Sequence, residues 1–259
     1  MPAREPEEIF EETRKEGRRR LARPILETAT TALVGGFDVA IGVAAYAMAD
    51  ASTTTRFGSD VGHLAGALAF GIGFVFVVVG RSELFTENFL VPVVGLERGN
   101  RSSYAKLLEL WAAALVLNVV GGALLALILT THGVLTGSSA DAIVRLADHV
   151  GNYSSGTAFW SAVVAGALMT LMTWFVEGAA ASMGVRIVMA WIVGSVIVLG
   201  TFNHAVVSQV ELVFGMRYGA SVDMSGFFAN LGLSVGGNLV GGLGLVTFAR
   251  FIQAASSQR

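Results

Sequence analysis

The stretch "GRSELFTENFL", residues 80–90, sets an arginine and two carboxylates inside sequence that otherwise belongs in lipid. Before it runs "VGHLAGALAFGIGFVFVVV" (61–79), and after it "VPVVGL" (91–96) is apolar again. As one helix, residues 61–96 would rise about 1.5 Å each and overshoot the roughly 30 Å hydrocarbon core of a bilayer. The segment therefore has to break. Polar backbone at membrane depth is tolerated only where protein covers it or where it lines a cavity.

The surrounding chain has the same character. Its 259 residues are 54% hydrophobic and 14% charged, against about 25% charged in soluble domains; the mean hydropathy is +0.66. Apolar runs of about 20 residues recur, too long and too uniform for barrel strands, so the chain reads as helices in a bilayer. With no cysteine, disulfides, thiol nucleophiles and thiolate metal sites are excluded. A net charge of −2 gives no footing for nucleic acid. No His/Asp/Glu cluster has metal-ligand spacing, and no catalytic triad or phosphate loop stands out. Neither an enzyme nor a cofactor nor a metal is expected.

The expected fold is an all-α membrane protein of six transmembrane helices. The spans read as 25–49, 61–80 continuing through 89–96, 105–130, 157–180, 187–215 with an interruption, and 227–252. Residues 25–252 form the transmembrane domain and 253–259 a short tail. Residues 1–24 form an amphipathic arm, acidic first and basic after, without the apolar core of a signal peptide. It reads as a solvated surface helix, or else as a gate at a pore mouth. Seven Lys/Arg in this arm place the N-terminus in the cytoplasm. Six crossings return the C-terminus, with Arg250 and Arg259, to the same side, where Arg98, Arg101 and Lys106 also fall. A bacterial-type inner (plasma) membrane is expected. The 131–156 loop lies outside and contains a possible short surface helix, "SADAIVRLADHV", with Ser139 as its N-cap.

A second break interrupts the fifth span, where "RIVMAWIVGSVIVLG" (186–200) runs into "TFNHAVVSQVE" (201–211). The breaks are related. The pattern Asn-aliphatic-Val-Gly-Gly begins at Asn118 and again at Asn238, 120 positions later. Three spans per copy is an odd number, so the second copy is inverted and the broken helices face each other near the midplane.

Several side chains then stand out. His204 lies in the second break, and an ionisable group inside a membrane is a functional candidate. His63, His132 and His149 sit at span ends or in the outer loop, where solvated histidines are expected. Thr86 offers a hydroxyl in the facing loop. Asn118 and Asn238 are placed to bond backbone freed by the breaks or to join helices. Arg81, Glu83 and Glu87 need partners at this depth. Arg81 is expected to pair with Glu83, Glu87, Glu177 or Glu211, unless an acidic group faces the pore.

Together "ELFTEN", the paired asparagine motifs and the histidine of the broken fifth span resemble the formate/nitrite transporter family, in a divergent, YfdC-like branch, over residues 25–252. The resemblance implies an aquaporin-like inverted 3+3 repeat and a homopentamer in membrane lipid with one pore per protomer. Glycine-rich "LVGGFDVAIG" (33–42) and "VGGLGLV" (240–246) are expected at subunit faces. It also implies a pore centre at His204 and Thr86, polar support from Asn118, Asn238, Asn203 and Glu87, and constrictions at Phe70, Phe74, Leu84, Phe85 and Ile197. The implied cargo is a small monovalent anion such as formate, nitrite or hydrosulfide, crossing as its neutral acid. Some positions depart from the family's pattern. Ser154 stands where well-known members carry a vestibule lysine, Glu87 where a small polar residue is usual, and Asn203 where an acidic residue often precedes the histidine. A neutral or cationic cargo therefore stays open. So does a closed structural or regulatory protein, occluded by Phe70, Phe74, Phe85 and Trp174.

Overall fold

A computed structural model describes residues 5–97, 99–179 and 182–256. Arg98 and Arg259, assigned above to the N-terminal side, lie outside the described residues.

Helix α1 (Pro6–Leu21) opens with proline and acidic residues and closes on arginines, the arrangement that suits the helix dipole. Helix α2 (Ile25–Phe57) runs past the expected end at 49 because no breaker occurs before Gly58, whose φ of 87° stops it. Helix α3 (Ser59–Gly80) ends at Arg81. A 3₁₀ turn, Phe85–Phe89, and a single helical turn, α4 (Val91–Val94), complete the broken second span. Helix α5 (Arg101–Leu129) is capped by the Asn100 side chain, α6 (Gly137–Gly151) by Thr136, and α7 (Ser155–Gly178) by Ser154. Helices α8 (Met183–Leu199) and α9 (Val207–Tyr218) flank the second break. Helix α10 (Met224–Leu239) passes through a π-helical stretch, Val240–Thr247, into α11 (Phe248–Ser256). Among the described residues, α2, α3, α5, α7 and the α10–α11 rod are each long and apolar enough to cross a bilayer. Helices α8 and α9 supply the remaining span in two pieces. The architecture is all-α with six spans and broken second and fifth helices.

The repeat is visible in its hydrogen bonds. Asn118 Nδ2 donates to the carbonyls of Ala32 (2.7 Å) and Glu83 (2.9 Å), while its Oδ1 accepts from Phe85 N–H at 2.8 Å. Asn238 Nδ2 donates to the carbonyls of Ala162 (2.7 Å) and Asn203 (3.1 Å), and its Oδ1 accepts from Ala205 N–H at 2.8 Å. Each break also opens on a left-handed non-glycine residue, Arg81 (φ 56°) and Thr201 (φ 47°).

Close approach explains the paired glycines. A Cβ on Gly36 would run into the Asn118 carbonyl, and one on Gly166 into that of Asn238. Gly35 lies against Glu83 backbone, and Gly241 against that of Val163. Gly35, Gly36, Gly241 and Gly242 thus serve contacts inside the protomer, while Gly244 and Leu245 of the second stretch face outward.

Other expectations are corrected here. The arm is not simply solvated: Ile9 and Phe10 pack with Leu90, Val94, Trp174 and Ala254, and Gly17 abuts Val91 and Gly95 backbone. Helix α6 is not a free surface helix either. It buries Ile143, Leu146 and Val150 among other residues. Its cap is Thr136, in extended conformation, whose hydroxyl accepts from Ser139 N–H; Ser139 already lies in the first turn. His63 bonds Tyr46 Oη at 2.8 Å and the Leu199 carbonyl at 3.0 Å, so it ties α3 to α2 and α8.

Gly36→Val and Gly166→Val should each destabilise the protein by about 1–3 kcal/mol, since a carbonyl cannot yield as a side chain can. Gly184→Ala, where a Cβ meets open space, should leave thermal unfolding in detergent nearly unchanged.

Candidate functional site

The two breaks bring Thr86 and His204 together. Thr86 Oγ1 and His204 Nε2 are 2.8 Å apart, and both residues are fully buried. His204 Nδ1 accepts the backbone N–H groups of Val206 and Val207, each at 3.1 Å. A nitrogen that accepts carries no proton, so this network assigns the neutral ring's proton to Nε2, which donates to Thr86. The Thr86 hydroxyl proton is thereby left to donate elsewhere. Ser208 Oγ accepts from the His204 backbone N–H at 3.0 Å and steadies the loop.

Apolar groups seal this pair. The Phe74 ring lies 6.3 Å from the His204 ring and meets Phe70 edge-on at 5.6 Å. Leu84 and Ile197 are fully buried in the same core. Phe85 is engaged elsewhere, edge-on against Phe89, which packs on Trp111. Trp174 does not approach the centre. It lies with α1 and under the Arg250 guanidinium, 4.8 Å from its ring centroid. Asn203 bonds Ser161 Oγ through its backbone N–H and the Ala158 carbonyl through Nδ2, while its buried Oδ1 has no hydrogen-bond partner.

On the α1 side lies a cavity of about 400 Å³, lined by arginines and glutamates from α1, α2, the first break, α7 and α8. Arg20 Nη1 and Arg23 Nη1 grip the two oxygens of Glu83 at 2.6 and 2.7 Å, and Arg20 also reaches Asn88 Oδ1 at 3.2 Å. Burial alone would lower the pKa of Arg20, but Glu83, Glu87, Glu177 and Glu16 outweigh it and push the pKa up.

The expected ion pair of Arg81 is therefore corrected. Glu83 is taken by the arm, and Arg81 makes no ion pair among the described residues. The left-handed turn that ends α3 leaves it exposed at the cavity, where water solvates it. Glu87 accepts Leu84 N–H at 3.0 Å and so steadies its own turn. Glu177 lines the cavity without an ion pair among the described residues. Glu211 is buried in α9, likewise without an ion pair among them. Sequence reasoning missed Arg20 and Arg23 as site residues. Their signal was the run "RRRLAR" (18–23), read above only for topology, in which Arg20 and Arg23 stand three positions apart. In the outer loop, Arg145 is held by Asp50, and Ser154 caps α7.

Comparison with known proteins supplies context. A family profile described as "Formate/nitrite transporter" matches residues 7–252, so the likeness reaches into the arm, beyond the 25–252 expected. The chain is similar to the inner membrane protein YfdC of Escherichia coli (26% identical, covering 90% of this chain and 74% of YfdC). It is also similar to the formate channel BtFdhC of Bacillus thuringiensis (25% identical, 97% and 96% covered). Among solved structures it matches a pentameric formate channel with formate bound (TM-score 0.74, 20% identity, 88% of this chain and 96% of that one). It also matches a structure described as an FNT family ion channel (TM-score 0.78, 18% identity, 95% and 98%). At these identities the structures establish the shared fold.

Removing Glu83 should take from Arg20 and Arg23 their shared carboxylate and leave them only the longer ion pairs with Glu16 and Glu27. Glu83→Ala is expected to cost about 3–5 kcal/mol and to release α1 to limited proteolysis. Arg81→Ala, solvated and unpaired, should cost under about 1 kcal/mol. Parallel thermal melts and protease digestion in detergent would separate the two.

Proposed function

Because this chain belongs to the formate/nitrite transporter family, we propose that it is a membrane channel or proton-linked transporter for a small monovalent anion. The cargo is of the formate, nitrite or hydrosulfide type and passes the apolar centre as its neutral acid. The protein works as a homopentamer in a bacterial-type inner membrane, with both termini in the cytoplasm. The names of the relatives support this reading: one is an inner membrane protein, one a formate channel, and one solved neighbour a pentameric formate channel.

The observation that carries it is the buried Thr86–His204 pair, with Phe74 beside the imidazole, in the apolar core. Moving a bare anion through such a seal costs far more than moving its uncharged acid. The neutral histidine occupies one lone pair of Thr86 and directs its hydroxyl proton away from the ring. That proton can bond an oxygen of the cargo as its hydration is stripped. Phe74, Leu84 and Ile197 exclude water on either side, so ions do not leak through behind it.

Charge near the centre supports an anion over a cation. Glu83 is neutralised by Arg20 and Arg23. Glu87 is committed to the Leu84 N–H and lies in the field of Arg20. The carboxylates that kept a cationic cargo open are thus held by partners.

Reconstituted in proteoliposomes, the protein should pass formate and nitrite faster as the pH falls, since the neutral acid fraction grows. Ammonium flux should stay at background. Thr86→Val, which keeps the shape and removes the hydroxyl, should lower anion flux roughly tenfold or more without loss of assembly. Ammonium flux in the wild type without formate or nitrite flux would overturn the proposal.

A further inference from the structure

We propose that Arg81 and Arg186 form an anion-binding site in the α1-side cavity, where a small carboxylate or nitrite is held before it reaches Thr86 and His204. This rests on the reading of the protein as an anion pathway and adds the place where the anion is selected.

The lining of the cavity is not a random mixture of charges. The arm's own arginines are held in ion pairs: Arg19 and Arg20 bind Glu16, and Arg20 and Arg23 bind Glu83, although Arg23 Nε is buried without a hydrogen-bond partner. Among the described residues two cations, Arg81 and Arg186 from unrelated elements, and two carboxylates, Glu87 and Glu177, remain outside the ion pairs. Arg81 and Arg186 both line the cavity, and among the described residues neither makes an ion pair. The Nε of Arg186 is buried and has no hydrogen-bond partner. A buried guanidinium N–H without an acceptor is costly unless something supplies one.

Position adds to this. Arg186 stands near the N-terminal end of α8, where the helix dipole disfavours a cation, so helix stability does not account for it. Arg81 occupies a left-handed conformation that glycine would adopt more easily. The equivalent residue of the second repeat shows what such a position otherwise does. Thr201 is pinned there by Tyr153 Oη, which donates to its carbonyl at 2.9 Å and reaches its hydroxyl at 2.8 Å. Arg81 has no such tie. Its head is free in the cavity, one helical turn beyond Val77 and Val78, which line the same wall; Phe74 follows a turn further in. An anion released from the arginines along this wall meets Phe74 and then the His204 ring. Two planar guanidinium groups suit the two oxygens of a carboxylate or nitrite, and charge-assisted bonds of this kind are the strong ones. At about 400 Å³ the cavity has room for water beside a small anion, so the anion need not be dehydrated until it leaves.

The test uses the full chain and two readouts. The first is formate and nitrite flux in proteoliposomes as a function of concentration. Arg81→Gln and Arg186→Gln should each raise the half-saturating concentration roughly tenfold, with the maximal rate within about a factor of two and the pentamer intact. Arg81→Lys should recover part of the loss. The second readout is thermal stability in detergent with sodium formate or nitrite against sodium gluconate. Wild type should be stabilised by the small anions and both glutamine variants should not. If the wild type passes no anion yet keeps the stabilisation that both variants lose, the transport reading fails and the binding site stands. If the variants match the wild type in half-saturation and in stabilisation, or if the wild type shows neither saturation nor stabilisation, the site is refuted.

Discussion

The constraint on which this structure depends is that no backbone amide may go unbonded in the middle of a membrane. Two helices are broken there, and each break frees donors and acceptors that hydrocarbon cannot satisfy. One asparagine per repeat resolves it. Asn118 binds a carbonyl of the break, an N–H of the break and a carbonyl of α2; Asn238 does the same against α7. Each asparagine therefore fixes a loop against a rigid helix, and the loops then present Thr86 and His204 to each other. The glycines opposite, Gly36 and Gly166, have no side chain because the asparagine-bearing helix must come within carbonyl contact. The meeting of Thr86 and His204 is thus a consequence of how the scaffold solves a hydrogen-bonding problem.

Much of this was legible in the sequence, for a physical reason. A charged interruption in a lipid-grade run is rare enough to force a break. The repeated asparagine motif is local in sequence, and the odd number of spans dictates inversion. The facing of Thr86 and His204 follows from those steps. What could not be read were contacts with no local signature. The arm's arginines find Glu83 60 and 63 positions away, and a basic cluster before a first span already had an ordinary explanation in topology. Arg81 seemed to require a carboxylate because depth was inferred from neighbouring residues. In fact the turn that ends α3 lifts it into a wet cavity. The inward contacts of Gly35, Gly36, Gly241 and Gly242 were not legible because apolar periodicity does not say which side of a membrane helix meets protein.

The two repeats share a frame and divide the chemistry. The backbone positions bonded by the asparagines correspond between copies, yet Leu84 stands where the second break carries His204, and Val206 where the first carries Thr86. An apolar group and a polar group are exchanged across the pseudo-twofold, so the hydroxyl and the imidazole meet once instead of competing twice. The same division holds at the mouths. On the α1 side the charge is arranged in arginine–glutamate clusters. At the opposite end Arg145 pairs with Asp50, and Tyr46 is hydrogen-bonded to His63.

The seat of α1 also orders the making of the protein. This helix leaves the ribosome before any span, but nothing it binds yet exists. Glu83 and the Val91–Gly95 turn emerge with the second span, and Trp174 with the fourth. Phe251, whose ring meets Phe10 edge-on at 5.3 Å, follows in α11. Helix α1 is therefore seated after the last of these has been released. Until then its arginines remain outside the bilayer, available to hold the orientation of the inserting chain. Docking of the arm records that all six spans are in place.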